Sequence, residues 1–219
     1  MTHKLHLGVF GVLLLVARPV LAWPAEVSVV DKSDRPLPDA VVELLAPDEP
    51  SPSASLKEPP SEAVIDQRHE TFLPLVTLIR KGGHVVFTNN DTTMHQVYSF
   101  SPIKQFAFEI DESQHSLPVV FDKAGIAVIG CNIHDRMITY VYVAGSPLAA
   151  ETDRTGLASF GNLPPGNYRG TVWHPQLAPG VQPQRFVFAV AESGARAKVM
   201  LPVNGATAGA KKTMHMQMY

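Results

Sequence analysis

The stretch AGIAVIGCNIHDRMITYVYV, residues 124–143, contains two apolar segments separated by a short polar loop. The first segment ends at Cys131 and the second follows Met137, and both are rich in the β-branched and aromatic residues that favour strands. Within the loop, His134 lies three positions after Cys131, and Met137 lies three positions after His134. A sharp turn between neighbouring strands can direct all three side chains to one point. The stretch therefore predicts β-structure with metal-ligating side chains in a connecting loop.

The remainder of the chain also reads as short strands. Residues 63–144 contain repeated apolar segments divided by turns such as KGG, and residues 26–45 contain two further segments around the turn DKSDRPLPD. After Pro147, the turns TDRTG and NLPPGNY separate another set of strand-like segments. No helical period of convincing length, tandem repeat or phosphate-binding glycine motif is present. We therefore predict an all-β protein built from sandwiches or barrels.

The first 22 residues have the features of a secretory signal peptide. Lys4 precedes an apolar run at 7–17, and the small residues before position 23 are suited to cleavage. The run is too short to cross a membrane, so we expect no transmembrane segment after cleavage and a periplasmic or otherwise secreted protein. Removal of Lys4 and Arg18 would change the formal charge from −2 to −4. Because the chain has no basic block, we expect no nucleic-acid partner.

Cys131 is the only cysteine of the chain and cannot form a disulfide within it. Because disulfides and oxidised thiols form readily outside the cytosol, a lone thiol there must be buried, reactive or bound. A buried core cysteine is one interpretation. A thiolate nucleophile activated by His134 is another, although it leaves the nearby methionine without a role.

A further histidine completes a metal-binding set. His95 follows the polar turn NNDTTM and begins a strand-like segment 36 residues before Cys131. Together, His95, Cys131 and His134 supply two imidazoles and a thiolate, and Met137 supplies a thioether. Two histidines and a cysteine with a weak axial methionine form the blue-copper ligand set. Zinc is a poorer match, because methionine is not one of its customary ligands.

These residues carry a resemblance to the cupredoxins. The spacing Cys131-x2-His134-x2-Met137 resembles the ligand loop of amicyanin-type members, and VVFTNNDTTMHQVYSF resembles the strand that carries their first histidine. The segment is also similar to exported bacterial proteins labelled methylamine-utilisation or plastocyanin-like. The resemblance implies a cupredoxin Greek-key sandwich holding one type 1 copper ion. It further implies a one-electron carrier that is not an enzyme, with a c-type cytochrome or a dehydrogenase as periplasmic partner.

Two departures from the cupredoxin pattern concern the surroundings of the ligands. Gln96 stands where family members usually have an asparagine that braces the cysteine loop, so Gln96, Asn89, Asn90 and Asn132 are candidate braces. Asp135 and Arg136 flank His134 where an apolar docking patch is usual. A copper-binding or delivery protein, and an interaction module stabilised by its metal, therefore remain alternative functions.

The sequence around this domain resembles a carboxypeptidase-regulatory-like or transthyretin-like sandwich. We expect a signal peptide at 1–22, the first strands of this smaller outer sandwich at 23–47, a proline-rich linker at 48–62, the copper domain at 63–144, the rest of the outer sandwich at 145–203 and a flexible tail at 204–219. Such an order would insert the copper domain into the outer sandwich. The alternative is that residues 26–45 add strands to the copper domain.

Several other residues invite a functional interpretation. His69, His84 and His115 are expected to be exposed side chains that bind no metal, and Asp111 with Glu112 to be solvated loop carboxylates. The tail ends in MHMQMY, and this run of soft ligands has two interpretations, a transient Cu(I) site and a frayed terminus.

Overall fold

A computed structural model describes residues 23–46, 59–178, 180–191 and 194–204. The predicted signal peptide, most of the linker and the Met/His-rich tail lie outside these residues. The described residues form sixteen β-strands and no α-helix, which confirms the all-β prediction. None of their elements is a helix long and apolar enough to cross a membrane.

Nine strands form an inner sandwich. They are β3 (Glu62–Gln67), β4 (Phe72–Leu73), β5 (Val76–Arg80), β6 (His84–Asn89), β7 (His95–Ser101), β8 (Lys104–Ile110), β9 (Val119–Val120), β10 (Gly125–Cys131) and β11 (Ile138–Ala144). One sheet has the order β5-β11-β10-β7-β8 and the other the order β4-β3-β6-β9. Apolar side chains from both sheets, including Phe87, Val97, Ile129 and Val141, form one buried core between them.

The other seven strands form an outer sandwich. They are β1 (Trp23–Val30), β2 (Val41–Leu45), β12 (Leu148–Glu151), β13 (Leu157–Leu163), β14 (Gly166–Trp173), β15 (Gln184–Val190) and β16 (Ala195–Met200). Their sheets have the orders β13-β1-β16 and β12-β2-β14-β15. In these sheets β1 and β2 pair only with strands that follow residue 147.

The two sandwiches share a core along the outer face of β11. The rings of Tyr140 and Tyr142 pack against Trp173, with centroid distances of 5.4 and 5.9 Å. The Glu43 carboxylate accepts a hydrogen bond from the Tyr142 hydroxyl at 2.8 Å and bonds from the amides of Gly145 and Ser146. Trp173 is itself buried. The contact joins the sandwiches through apolar packing and a shared carboxylate.

The strand boundaries depart from the sequence reading in two places. The segment FLPLVTLIR, residues 72–80, is divided into β4 and β5 at Pro74, because proline has no N–H to donate to a sheet. Strand β3 begins at Glu62, at the end of the predicted linker, and it was missed because EAVIDQ mixes charged and apolar residues. It pairs in parallel with β6 and so completes the smaller sheet of the inner sandwich.

Candidate metal centre

Three of the predicted ligand side chains meet at one end of the inner sandwich. His95 begins β7 and Cys131 ends β10, and the pairing of these strands places Cys131 opposite Val97. The ligand atoms of His95, Cys131 and His134 all lie within 4.8 Å of one another. The Cys131 sulfur is 3.6 Å from Nδ1 of His95, and the two imidazole rings are 5.1 Å apart at their centroids.

The cluster is largely closed to solvent. The side chains of His95 and Cys131 are buried, whereas the His134 side chain is 23 % exposed. Nδ1 of His134 is buried and has no hydrogen-bond partner among the described residues. Burying a polar atom without a partner costs free energy, and a metal ion bound to this nitrogen would offset that cost. An orphaned imidazole nitrogen beside a thiol is the condition expected of a metal-ligand atom.

The loop after Cys131 is held in a compact form by its backbone. The Met137 amide donates to the His134 carbonyl at 3.0 Å, and the Cys131 amide donates to the Met137 carbonyl at 3.3 Å. These bonds fold residues 131–137 back on themselves before β11 begins. The Met137 side chain is buried in the inner core, which also contains Cys131. Its role as a fourth ligand stays a prediction.

A pair of polar contacts connects the loop at residues 132–137, here called the ligand loop, to β7. The Asn132 side-chain amide donates to the Gln96 side-chain carbonyl at 2.7 Å, and the Asn132 backbone amide donates to the Gln96 carbonyl at 3.0 Å. Of the four candidate braces, this pair makes the link. Asn89 instead organises the preceding turn, since its amide nitrogen donates to the carbonyls of Thr93 and Ile110. Asn90 bonds to the Asp66 carboxylate, away from the ligand loop.

The residue before Cys131 lies close to a neighbouring ring. A Cβ atom at Gly130 would lie 2.9 Å from the ring of Tyr98, its partner on β7. A side chain at position 130 would therefore displace Tyr98 and disturb the strand that carries the thiol.

Two acidic residues that the sequence reading missed lie beside the imidazoles. Asp91 Oδ2 is 2.9 Å from Nε2 of His95, and Glu70 Oε1 is 3.8 Å from Nε2 of His134. Asp91 lies four positions before His95, which is a signal available in the sequence. Glu70 lies on the β3–β4 connection, and no local pattern relates it to His134.

The Asp91 carboxylate has an altered acidity. Burial by itself would raise the pKa of Asp91, but hydrogen bonds from the Glu70 amide, the His95 ring and the His69 amide together lower it. The carboxylate form is therefore stabilised at neutral pH.

The remaining histidines of the inner sandwich lie apart from this cluster. His69 and His115 are exposed, and His84 lies at the opposite end of β6 from the site, 3.9 Å from the exposed Glu62. Asp111 and Glu112 are exposed in the loop after β8. None of these residues belongs to the three-residue group.

When the chain is compared with known proteins, similarity is found to solved structures but not to family models or curated proteins. The purple cupredoxin from Nitrosopumilus maritimus is 22 % identical, over 37 % of this chain and 99 % of its own, with a TM-score of 0.35. Amicyanin from Paracoccus versutus is 20 % identical, over 42 % of this chain and 96 % of its own, with a TM-score of 0.34.

A third similar structure belongs to a larger protein. The copper-containing nitrite reductase from Thermus scotoductus SA-01 is 19 % identical over 47 % of this chain, with a TM-score of 0.36. This chain spans only 25 % of that enzyme. These structural neighbours are cupredoxins and a copper enzyme, but all three TM-scores are below 0.5. The argument for a metal therefore depends on the side chains of the site.

Proposed function

We propose that His95, Cys131, His134 and Met137 bind one copper ion as a type 1 site and that the protein carries single electrons. The observation that carries this proposal is the approach of a thiol and two imidazoles, two of them on the strands β7 and β10 and the third on the β10–β11 loop, with ligand atoms within 4.8 Å. The buried and unpartnered Nδ1 of His134 supports it, because a metal would supply the missing interaction.

The separation of the ligand atoms fits a metal ion. Metal–sulfur and metal–nitrogen bonds of about 2.3 and 2.0 Å at a trigonal angle place the two atoms about 3.7 Å apart. The Cys131 sulfur and Nδ1 of His95 are 3.6 Å apart. The pair is therefore already spaced for a shared ion.

The donor types favour copper over zinc. Sulfur ligands suit Cu(I), and imidazole suits both copper oxidation states, so this set can hold copper through a one-electron cycle. The buried position of Met137 after the loop is compatible with a weak axial sulfur ligand. Zinc sites more often close with paired cysteines or histidines.

The burial of the ligands favours electron transfer over catalysis on a bound substrate. Copper, when bound, would supply the redox couple. His95 and Cys131 are buried, which disfavours direct contact of a substrate molecule with these two side chains. His134 alone is partly exposed, and its ring edge gives an electron a short route to a docked partner. Backbone bonds within 131–137 keep the ligand loop in place between redox states.

The cellular setting of this role follows from the sequence. The signal-like residues 1–22 support export to the periplasm or beyond, where a lone thiol needs protection of the kind a metal gives. A soluble c-type cytochrome or a periplasmic dehydrogenase is the proposed redox partner. The mixed charges of Glu70, Asp135 and Arg136 near His134 favour a partner that docks through polar contacts.

We also propose that the copper domain, residues 63–144, is inserted in the outer sandwich formed by residues 23–47 and 145–203. The pairing of β1 and β2 with strands after residue 147 supports this division over the alternative in which they extend the copper domain. The outer sandwich would then hold the copper domain in a fixed orientation through the Trp173 contacts.

Addition of Cu(II) to the purified protein tests the function. We expect a strong thiolate-to-copper absorption band and a type 1 electron-spin spectrum, both lost in Cys131→Ser and retained in His84→Gln, a histidine control remote from the site. Reversible oxidation with electron transfer to an added c-type cytochrome supports the carrier. Tight Cu(I) binding without a stable Cu(II) form would instead support copper delivery, and absence of the band in the native protein would overturn the type 1 assignment.

A further inference from the structure

The Asp91 carboxylate joins a metal-ligand candidate to a separate hairpin. Its Oδ2 lies 2.9 Å from Nε2 of His95 and accepts from the Glu70 amide at 3.0 Å, while Oδ1 accepts from the His69 amide. The Asp91 side chain is only 10 % exposed. We infer that Asp91 is a positioning residue that fixes the His95 ring for metal binding and anchors the β3–β4 turn over the site. This inference rests on the proposed copper function.

The bond to Asp91 determines which His95 nitrogen can bind a metal. An ionised carboxylate only accepts hydrogen bonds, so Nε2 must carry the ring proton. In a neutral ring, Nδ1 then has the free lone pair, and this atom faces the Cys131 sulfur at 3.6 Å. The ring is buried, which leaves it little freedom to turn. Asp91 therefore presents the correct nitrogen to the site before any metal arrives.

The same carboxylate stabilises an unusual turn. His69 and Glu70 both have φ values of +52°, and Arg68 and Thr71 exchange two backbone hydrogen bonds around them. Two consecutive residues with positive φ define a type I′ hairpin, in which Asn-Gly is preferred. His69-Glu70 lacks that preference, since side chains disfavour the left-handed region. Asp91 compensates for this unfavourable backbone conformation, because its carboxylate accepts hydrogen bonds from both turn amides.

The anchored turn brings a second carboxylate to the second imidazole. Glu70 Oε1 lies 3.8 Å from Nε2 of His134, although the Glu70 side chain is 66 % exposed. Each imidazole thus has a carboxylate near its Nε2 atom. Carboxylate partners make a ligating histidine more basic and favour the more highly charged metal ion. The buried Asp91 bond should dominate, because solvent weakens the Glu70 interaction.

Two variants of Asp91 and one matched control test the inference with copper-loaded protein. We expect Asp91→Ala to weaken Cu(II) binding by about 10- to 100-fold and to raise the reduction potential. Asp91→Asn keeps one acceptor oxygen but not the charge, so we expect a smaller loss of affinity and again a higher potential. Asp122→Asn alters an exposed carboxylate at the far end of β10 and should match the native protein in both measurements.

A rescue experiment distinguishes an effect of Asp91 on the His95 ring from an effect on the β3–β4 turn alone. His69→Asn/Glu70→Gly creates the preferred type I′ pair and should stabilise the turn without Asp91. We expect Asp91→Ala to lower affinity and raise potential in this background as well, relative to the double variant alone. If the Asn-Gly turn abolishes the effect of Asp91→Ala, Asp91 acts only on the turn, and the proposed positioning of the His95 ring is overturned.

Nitrogen NMR of the metal-free protein tests the inference independently of copper. We expect His95 to be the Nε2-protonated tautomer in the native protein and to lose this preference in Asp91→Ala. A native His95 protonated at Nδ1 would overturn the inference even if copper binds. Failure of the native protein to form the thiolate-to-copper band would instead overturn the proposed function, so the two failures are distinguishable.

Discussion

Nδ1 of His95 lies 3.6 Å from the Cys131 sulfur, although the two residues are 36 positions apart. The approach is produced by the antiparallel pairing of β7 with β10, which aligns the start of one strand with the end of the other. The thiol and the imidazole are thus placed by the sheet itself, whereas His134 reaches them from the loop. A site built mainly on strands is held more rigidly than one built on loops alone.

Met137→Leu tests the axial ligand. Leucine has a similar volume, so the buried position should remain filled and the free energy of unfolding of the metal-free protein should fall by less than about 1.5 kcal/mol. If the thioether binds copper weakly, its loss should retain the thiolate band and raise the reduction potential, because sulfur donation to Cu(II) is removed. Voltammetry of the copper-loaded variant checks this. An unchanged potential would show that Met137 only packs.

Gln96→Ala tests the brace on the ligand loop. The substitution removes the acceptor of the Asn132 side-chain amide but leaves the backbone bond between the same residues. Because this side-chain bond is exposed, we expect a loss of about 0.5–1.5 kcal/mol in unfolding free energy, together with a broader copper electron-spin spectrum. Gln105→Ala, an exposed glutamine on β8, is the matched control. Identical spectra for the two variants would argue against a bracing role.

The all-β class and the three residues of the cluster were predictable from sequence because they depend on local signals. Alternating apolar segments mark strands, and the candidate ligands Cys131 and His134 are close in sequence. His95 was identified because its residue type completes a known ligand set. These inferences need no knowledge of which strands pair.

The residues that surround the site could be identified only from the structure. Glu70 lies beside His134 because β3 pairs in parallel with β6 and carries its turn to the ligand end, and no short-range pattern specifies that pairing. Strand β3 itself lacks a clean apolar alternation, so its position was missed. Asp91 was visible in the sequence, but its contact with the His69 and Glu70 amides depends on the turn geometry.

Glu43→Ala tests the junction between the two sandwiches. The Glu43 carboxylate accepts from the Tyr142 hydroxyl at 2.8 Å and from the Ser146 amide at 2.7 Å. Burial and the Glu43 carboxylate both raise the pKa of Tyr142, so its hydroxyl stays a donor at ordinary pH. Removing the shared acceptor should lower the unfolding free energy by about 2–3 kcal/mol, as measured by urea denaturation.

Glu43→Gln is the graded comparison for this junction. Glutamine keeps one acceptor oxygen for the backbone amides, so we expect a loss smaller than that of Glu43→Ala. Tryptophan fluorescence should follow the same order, since Trp173 packs on Tyr142. If both variants unfold at the native urea concentration, the carboxylate does not stabilise the junction.

Glu151→Gln tests a pH dependence located in the outer sandwich. Burial, followed by the negative charge of Asp39, raises the pKa of Glu151 to about 7. The folded protein therefore holds the Glu151 proton more tightly than the unfolded chain, whose glutamate pKa is 4.5. By linkage, this group stabilises the fold fully below about pH 4.5 and loses that contribution as the pH rises to about 7. Burial lowers the pKa of His174 from 6.5 to about 4. The stability contributed by neutral His174 is present above about pH 6.5 and is lost as the pH falls to about 4, so it changes with pH in the opposite direction to that of Glu151.

Because the two groups act in opposite directions over overlapping ranges, the native pH profile alone cannot separate them. The difference between variant and native protein can. Relative to the native protein, metal-free Glu151→Gln should become progressively more stable from about pH 4.5 to 7, and the difference should then remain constant. After solvent screening, we expect the total gain in unfolding free energy to be on the order of 1–2 kcal/mol. Glu112→Gln, an exposed loop control, should show no such rise. A stability difference that is flat between pH 4.5 and 7 would mean that Glu151 is already ionised in the folded protein.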